Sequence, residues 1–160
     1  MPKKLSRKDL VVDQLKRAHL ADAWHGPSLK EILDGVSVQQ AVARPLKNTH
    51  SIWELVLHIE AWNRLIETRV KKKKLETMTL KLDWPPMPKV KTVATWKRSL
   101  KKLDRSVKSL YSFLEKSDEA ILDRPVVGKP YNVEHMMHGV AQHNLYHAGQ
   151  IAILKRALTK

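Results

Sequence analysis

The sequence contains no cysteine. That excludes disulfides, thiolate metal sites and cysteine nucleophiles, and it fits a cytoplasmic protein. Glycine and proline are few, at 5 and 8, and no P-loop or glycine-rich dinucleotide motif occurs. Neither does a Ser-His-Asp arrangement. No apolar run approaches the roughly 18 residues that a membrane span needs. The opening MPKKLSRKDL is basic, but no apolar signal segment follows it, so residues 1–8 read as a solvated arm. Alternating apolar and polar residues, the mark of a half-buried strand, are absent as well.

Acidic residues are also in short supply. Sixteen Asp and Glu stand against thirty Lys and Arg, a formal net charge of +14. Such a field attracts polyanions in general. Lysine dominates the basic set, and lysine is a point charge with little directional readout. Any nucleic-acid binding is therefore expected to be weak and sequence-independent, and a solvated role for the charge is the simpler reading.

What is present is helical periodicity, in a chain whose 160 residues suit one domain over 1–160. Residues Asp9 to Ala23 read as a helix, stopped before Gly26-Pro27. Ser28 and Glu31 make a capping box for a short helix through Asp34. Ser37 caps another turn, which Arg44-Pro45 ends. Ile52, Leu55, Ile59, Trp62 and Ile66 repeat at helical spacing in a segment expected to run into Lys71 to Lys74. Asp83 to Pro88 holds three prolines and must be a loop. Val93, Trp96, Leu100, Leu103, Val107, Leu110 and Leu114 stripe a third long helix from Thr92 to Lys116. Ser117 is expected to cap a short helix through Leu122. The last helix begins at Asn132 and runs to Leu158. The fold class is all-α, a four-helix bundle with long crossover connections.

The last helix carries His143 and His147, four residues apart and thus one turn apart on one face. Two imidazoles so placed can reach one ion at roughly 2.0–2.1 Å. An HxxxH pair alone also occurs as two ordinary surface histidines. Here Met136, Val140, Ile151 and Leu154 fall on or near the same side, so both rings are expected to point inward, with Gly139 leaving space one turn earlier. Unpaired imidazoles are costly inside, and a metal would satisfy them. His58 borders the apolar stripe of its own helix. A lone histidine there is usually a satisfied core residue, yet beside an HxxxH pair it completes a three-ligand set. Three histidines leave a coordination position open, as catalytic metals do. Zinc or nickel is the expected divalent ion. Glu54 lies one turn before His58 and can either orient an imidazole or cap the helix. His19 reads as a helix-face residue, and His135 and His138 as packing or solvated residues. Trp24, His25 and His50 are candidates for a pocket rim.

Two segments resemble a known family. Ser51-Ile-Trp-Glu-Leu-Val-Leu-His58 with Ala61-Trp62, and Gly139 through Ile151 with its two histidines, look like the DinB-like superfamily of damage-inducible helical bundles, unrelated to the DNA polymerase of the same name. Trp24 to Leu29 and Asp83-Trp84-Pro85 are similar to a subgroup of it, and the likeness spans residues 10–158. The resemblance implies an up-up-down-down bundle, metal ligation by His58, His143 and His147, frequent homodimers, and kinship with metal-dependent thiol transferases and mycothiol-dependent maleylpyruvate isomerase. Asn144 departs from the acidic residue expected at that position, and the run Lys71 to Lys74 is atypical.

Two functions compete at this point. One is a metal-dependent thiol S-transferase or hydrolase acting on a low-molecular-weight thiol and a small-molecule substrate. The other is a non-catalytic, stress-related or nucleic-acid-associated bundle in which the metal is structural. An open site beside a pocket favours the first; a closed site with a continuous basic face favours the second.

Overall fold

A computed structural model describes residues 4–159. Seven helices follow in order: α1 (Arg7–His19), α2 (Leu29–Leu33), α3 (Val38–Val42), α4 (Ile52–Lys71), α5 (Leu80–Asp83), α6 (Val93–Glu115) and α7 (Val133–Leu158), with a 3-10 turn at Glu119–Asp123 before the last. Among the described residues there is no strand, only an isolated bridge between Pro125 and Asn132. No described helix is long and apolar enough to cross a membrane.

Side-chain caps set most helix starts. Ser28, Ser37, Ser51 and Thr92 each accept from the backbone N–H three residues on, with a reciprocal bond back, so two orphan donors are satisfied at each end. The same device moves α1. Ser6 and Asp9 form its capping box, so the helix begins at Arg7 rather than Asp9. Arg7 reaches Asp123 and Glu134, and Lys8 donates to the Ser117 carbonyl. The expected arm thus ends before residue 6, and Met1 to Lys3 lie outside the described residues. At its other end α1 stops at His19, well before Gly26-Pro27. Helix α4 closes at Lys71, with Lys73 at φ +51°, so the lysine run belongs to the crossover. Ser117 caps nothing; its hydroxyl donates to the Phe113 carbonyl.

Four helices form the bundle, in the spatial order α1, α6, α4, α7 around it. Hydrogen bonds between them give their directions. Trp53 meets Ser99 and Asn63 meets Ser106, so α4 and α6 run parallel. Leu55 lies beside Leu154, and Asn63 beside Asn144, so α4 and α7 run antiparallel. Arg7 with Glu134 and Gln14 with His138 make α1 parallel to α7. The chain order is therefore up-down-down-up, not the up-up-down-down order that the resemblance implied. Two consecutive parallel neighbours, α4 and α6, require residues 72–92 to travel back along the bundle. That crossover carries α5.

The core has two apolar halves. Leu29, Leu33, Ile52, Trp53, Val56, Trp96, Ala148 and Ile151 fill one. Val11, Leu15, Ile66, Val70, Leu110, Leu114 and Met137 fill the other. Asn63, Ser106 and Asn144, all buried and hydrogen-bonded together, form a polar layer joining α4 to α6 and α7. Trp53 is fully buried, whereas Trp24 is 99% exposed. Truncating Trp53 to Ala should therefore cost about 3–5 kcal/mol through the cavity it leaves, and Trp24→Ala less than about 0.5 kcal/mol. Urea denaturation of the two variants checks this; equal midpoints would contradict the packing described.

Candidate metal centre

Helices α4 and α7 cross where each presents histidine. His143 and His147 stand one turn apart on α7, and the antiparallel seam sets His58 of α4 opposite both. One ligand nitrogen from each ring falls within 4.8 Å of the others. The Nε2 atoms of His58 and His143 are 3.1 Å apart. Two nitrogens bound at about 2.05 Å to one tetrahedral ion would stand about 3.4 Å apart, so this spacing is close to what an ion needs.

The other ring nitrogens show which atoms are free to ligate. His58 Nδ1–H donates to the Asp83 backbone carbonyl at 2.7 Å, with the Asp83 carboxylate 3.3 Å away. His147 Nδ1–H donates to Gln150 Oε1 at 2.7 Å. A proton held on Nδ1 leaves the Nε2 lone pair facing inward, the usual way a protein orients a metal-binding imidazole. His143 Nδ1 is buried without a hydrogen-bond partner. The donor set fits a divalent ion that accepts neutral imidazole, with zinc and nickel both compatible; three ligands would leave one tetrahedral position unfilled.

Electrostatics keep these rings neutral. Burial pushes all three below the ordinary histidine value, and neighbouring rings add to the effect; for His143 the result is a pKa of about 4. Desolvation disfavours the charged imidazolium. At neutral pH the lone pairs are therefore available, as ligation demands.

The crossover supplies the roof. Thr79 caps α5, and the residues at its end fold over the histidines. Asp83 holds His58 through its carbonyl and accepts from Trp62 Nε1 at 2.7 Å through its carboxylate. Trp84 lies flat between two imidazoles, with ring centroids 4.0 Å from His58 and 3.5 Å from His50. This stack shields one side of His58 from water. A groove of about 280 Å³ lies nearby, lined by Leu46, His50, Leu55, Gln150 and Ile153 among others and by none of the three histidines. It shares Gln150 with the histidine cluster.

His58, His143 and His147 come together. His50 reaches the rim through Trp84, whereas Trp24 and His25 are exposed on the turn after α1, and neither joins the cluster. Glu54 serves the capping box and pairs with Arg44; Asp83 and Gln150 orient the imidazoles in its place. Met136, Val140, Ile151 and Leu154 are buried as expected. Gly139 is not needed for space, because a Cβ there would meet nothing within 4 Å. His19 is buried against Asp104 at 2.8 Å, not on an open helix face. His138 bonds Gln14 and His135 stacks on Tyr131. Asn144 ties α7 to α4 through Asn63. Gln150 and Asp83 were missed as ligand-orienting residues. The i, i+3 spacing of His147 and Gln150 was the available signal for one; the other requires the tertiary path of the crossover.

A largely buried three-histidine cluster between antiparallel helices defines a class of metal-associated helical bundle. The comparison of sequences then gives the family. A sequence model of the DinB superfamily matches residues 18–151, and the chain belongs to that superfamily. No curated protein and no solved structure matches the chain significantly.

Two outcomes are expected. Removal of any one of the three histidines as Ala should abolish stoichiometric zinc binding and the melting-temperature rise that zinc produces, while His25→Ala and His138→Ala leave both intact. Asp83→Ala should weaken zinc about 10- to 100-fold, the usual cost of losing a ligand-orienting partner. Metal analysis and calorimetric titration check both. The pH dependence has a definite sign. Above about pH 6.5 the rings are neutral in folded and unfolded chain alike. Below it the unfolded chain takes up protons that the buried rings refuse. The metal-free protein should thus lose stability between about pH 6.5 and pH 4, and bound metal should leave over the same acid range. Stability that rose steadily across that interval would contradict buried neutral rings.

Proposed function

We propose that the protein is a metal-dependent enzyme of the cytoplasm that transfers a low-molecular-weight thiol to a small electrophilic substrate, or hydrolyses such a substrate. The observation that carries this reading is the incomplete ligand set: three inward-facing Nε2 atoms, with His143 only partly buried and a groove sharing Gln150. A purely structural zinc site is normally closed by a fourth protein ligand. A divalent ion held there would supply Lewis acidity, lowering the pKa of a thiol or water at the open position. Zinc and nickel are the ions best matched to three imidazoles.

The protein's own residues perform the remaining tasks in this reading. His58, His143 and His147 hold the ion. Asp83 and Gln150 keep the Nδ1 protons in place and so fix the tautomers. Trp84 and Trp62 cover the α4 side and exclude water. Leu46 and Leu55 offer an apolar wall for the substrate, with His50 at its edge.

The reading extends to a homodimer. On α7, Tyr146 and Ile153 are exposed apolar residues at 65% and 59%, and the exposed Gly149 lies between them. A small residue between two large ones permits close helix approach, and a two-fold axis through this face would repeat the contact symmetrically.

Zinc- or nickel-loaded protein without a tag should catalyse either thiol addition to an electrophilic acceptor or hydrolysis of small esters and amides. The activity should vanish in His143→Ala and in chelator. A metal-loaded protein inert toward both substrate classes, across a panel of thiols, would overturn the proposal. Light scattering should give twice the chain mass; a monomer over a wide concentration range would remove the dimer alone.

A further inference from the structure

The basic surplus is not spread evenly. Helix α6 exposes Lys97, Arg98, Lys101, Lys102, Arg105 and Lys108 within three turns, and none of the six pairs with a carboxylate. Their apolar counterparts, Trp96, Leu103, Val107, Leu110 and Leu114, are buried in the bundle. Two open depressions of about 380 and 670 Å³ run end to end between α4 and α6, sharing Arg105 and Ser109. Lys102, Arg105, Lys108 and Lys116 line them. The two carboxylates that line the smaller depression are already paired: Glu60 with Arg64, and Glu67 with Lys71, Glu67 also accepting from the Ser109 hydroxyl.

We propose that this α4–α6 groove binds the phosphodiester backbone of a nucleic acid without reading its sequence. Four features of the groove favour that occupant. Unpaired like charges repel one another, and a polyanion relieves the repulsion while releasing its own counterions. The charges are arranged in a line. Lys102 to Lys116 spans about 21 Å of helix axis, the reach of about six phosphates of one strand at about 3.4 Å each. The groove is concave and carries the Ser112 hydroxyl, a donor suited to phosphate oxygen. Phe113 is the single aromatic lining it, which is too few for a base-stacking platform and leaves the backbone as the element recognised. An anionic membrane fits less well. The apolar face of α6 is committed to the core, so nothing on this side can enter a bilayer.

The three histidines take no part in this groove. Those lie on the α4–α7 seam, whereas this groove lies between α4 and α6. The surface is independent of the proposed chemistry and would hold the protein near nucleic acid whatever the site catalyses.

The test is fluorescence-anisotropy titration of a labelled 20-nucleotide single strand, a matched duplex, and vesicles containing anionic lipid, at several salt concentrations. The proteins are the wild type, Lys102→Gln/Arg105→Gln/Lys108→Gln, and a control, Lys47→Gln/Lys81→Gln/Arg156→Gln, which removes the same charge outside the groove. Circular dichroism verifies that both triples fold. The groove triple should bind either nucleic acid at least tenfold more weakly than wild type, with its salt slope reduced by about 2–3. The control should lose less than threefold. Equal losses in the two triples would overturn the groove, because net charge alone would then account for binding. Absence of nucleic-acid binding at 50 mM salt, or preference for vesicles over both oligonucleotides, would overturn it as well.

Discussion

Buried imidazoles impose a constraint that the rest of this molecule answers. Each ring carries a proton on one nitrogen and a lone pair on the other, and burying either without a partner is costly. At the α4–α7 seam the outer nitrogens of His58 and His147 are occupied by Asp83 and Gln150, so the inner ones can only face each other. A divalent ion would resolve that confrontation. Without one, two nitrogens 3.1 Å apart share at most a single hydrogen. The antiparallel packing of α4 on α7 brings the rings together and is therefore the contact on which the site depends.

The topology follows from the same seam. Because α4 and α6 are parallel neighbours, the chain between them has to return along the bundle, and its route passes over the histidines. Residues that a simple hairpin would leave in solvent become the roof: Asp83 as an acceptor, Trp84 as a plate between His50 and His58. The polar layer of Asn63, Ser106 and Asn144 locks the neighbouring turns of three helices in register. A slip of α7 by one residue would rotate His143 and His147 out of the seam by about 100°. Buried hydrogen bonds that are satisfied in only one register thus protect the geometry of the ligands a turn away.

The long helices and the three histidines were legible because their signals are periodic and local. Ser28 with Glu31, Thr92 and Asn132 mark starts through short-range chemistry, and His143 with His147 declares a shared face by spacing alone. The apolar stripe beside His58 suggested its pairing with that face, and the family resemblance pointed the same way. Other features depended on what the chain meets in space. Ser6 and Asp9 started α1 earlier than its apolar stripe suggested. The segment 72–92 contained a capped turn, α5, that its prolines concealed, and its path fixed both the helix directions and the partner of His58. Glu54 offered two readings from sequence, and the nearby Ser51 and Arg44 decided between them. The charge on α6 was visible as composition; its alignment into one unpaired line became visible only once the apolar stripe was placed in the core.

The basic surface and the histidine cluster are thereby separated on the molecule. The cationic groove runs along α4 and α6, while the histidines open toward α7, so neither arrangement requires the other. X-ray absorption of zinc-loaded, tag-free protein reads the three imidazoles themselves. The expected result is one zinc per chain in four-coordinate geometry, with imidazole multiple scattering that fits three histidine nitrogens at about 2.0–2.1 Å and one further light-atom ligand. A six-coordinate, oxygen-rich shell, or a spectrum that fits fewer than two imidazoles, would contradict the account.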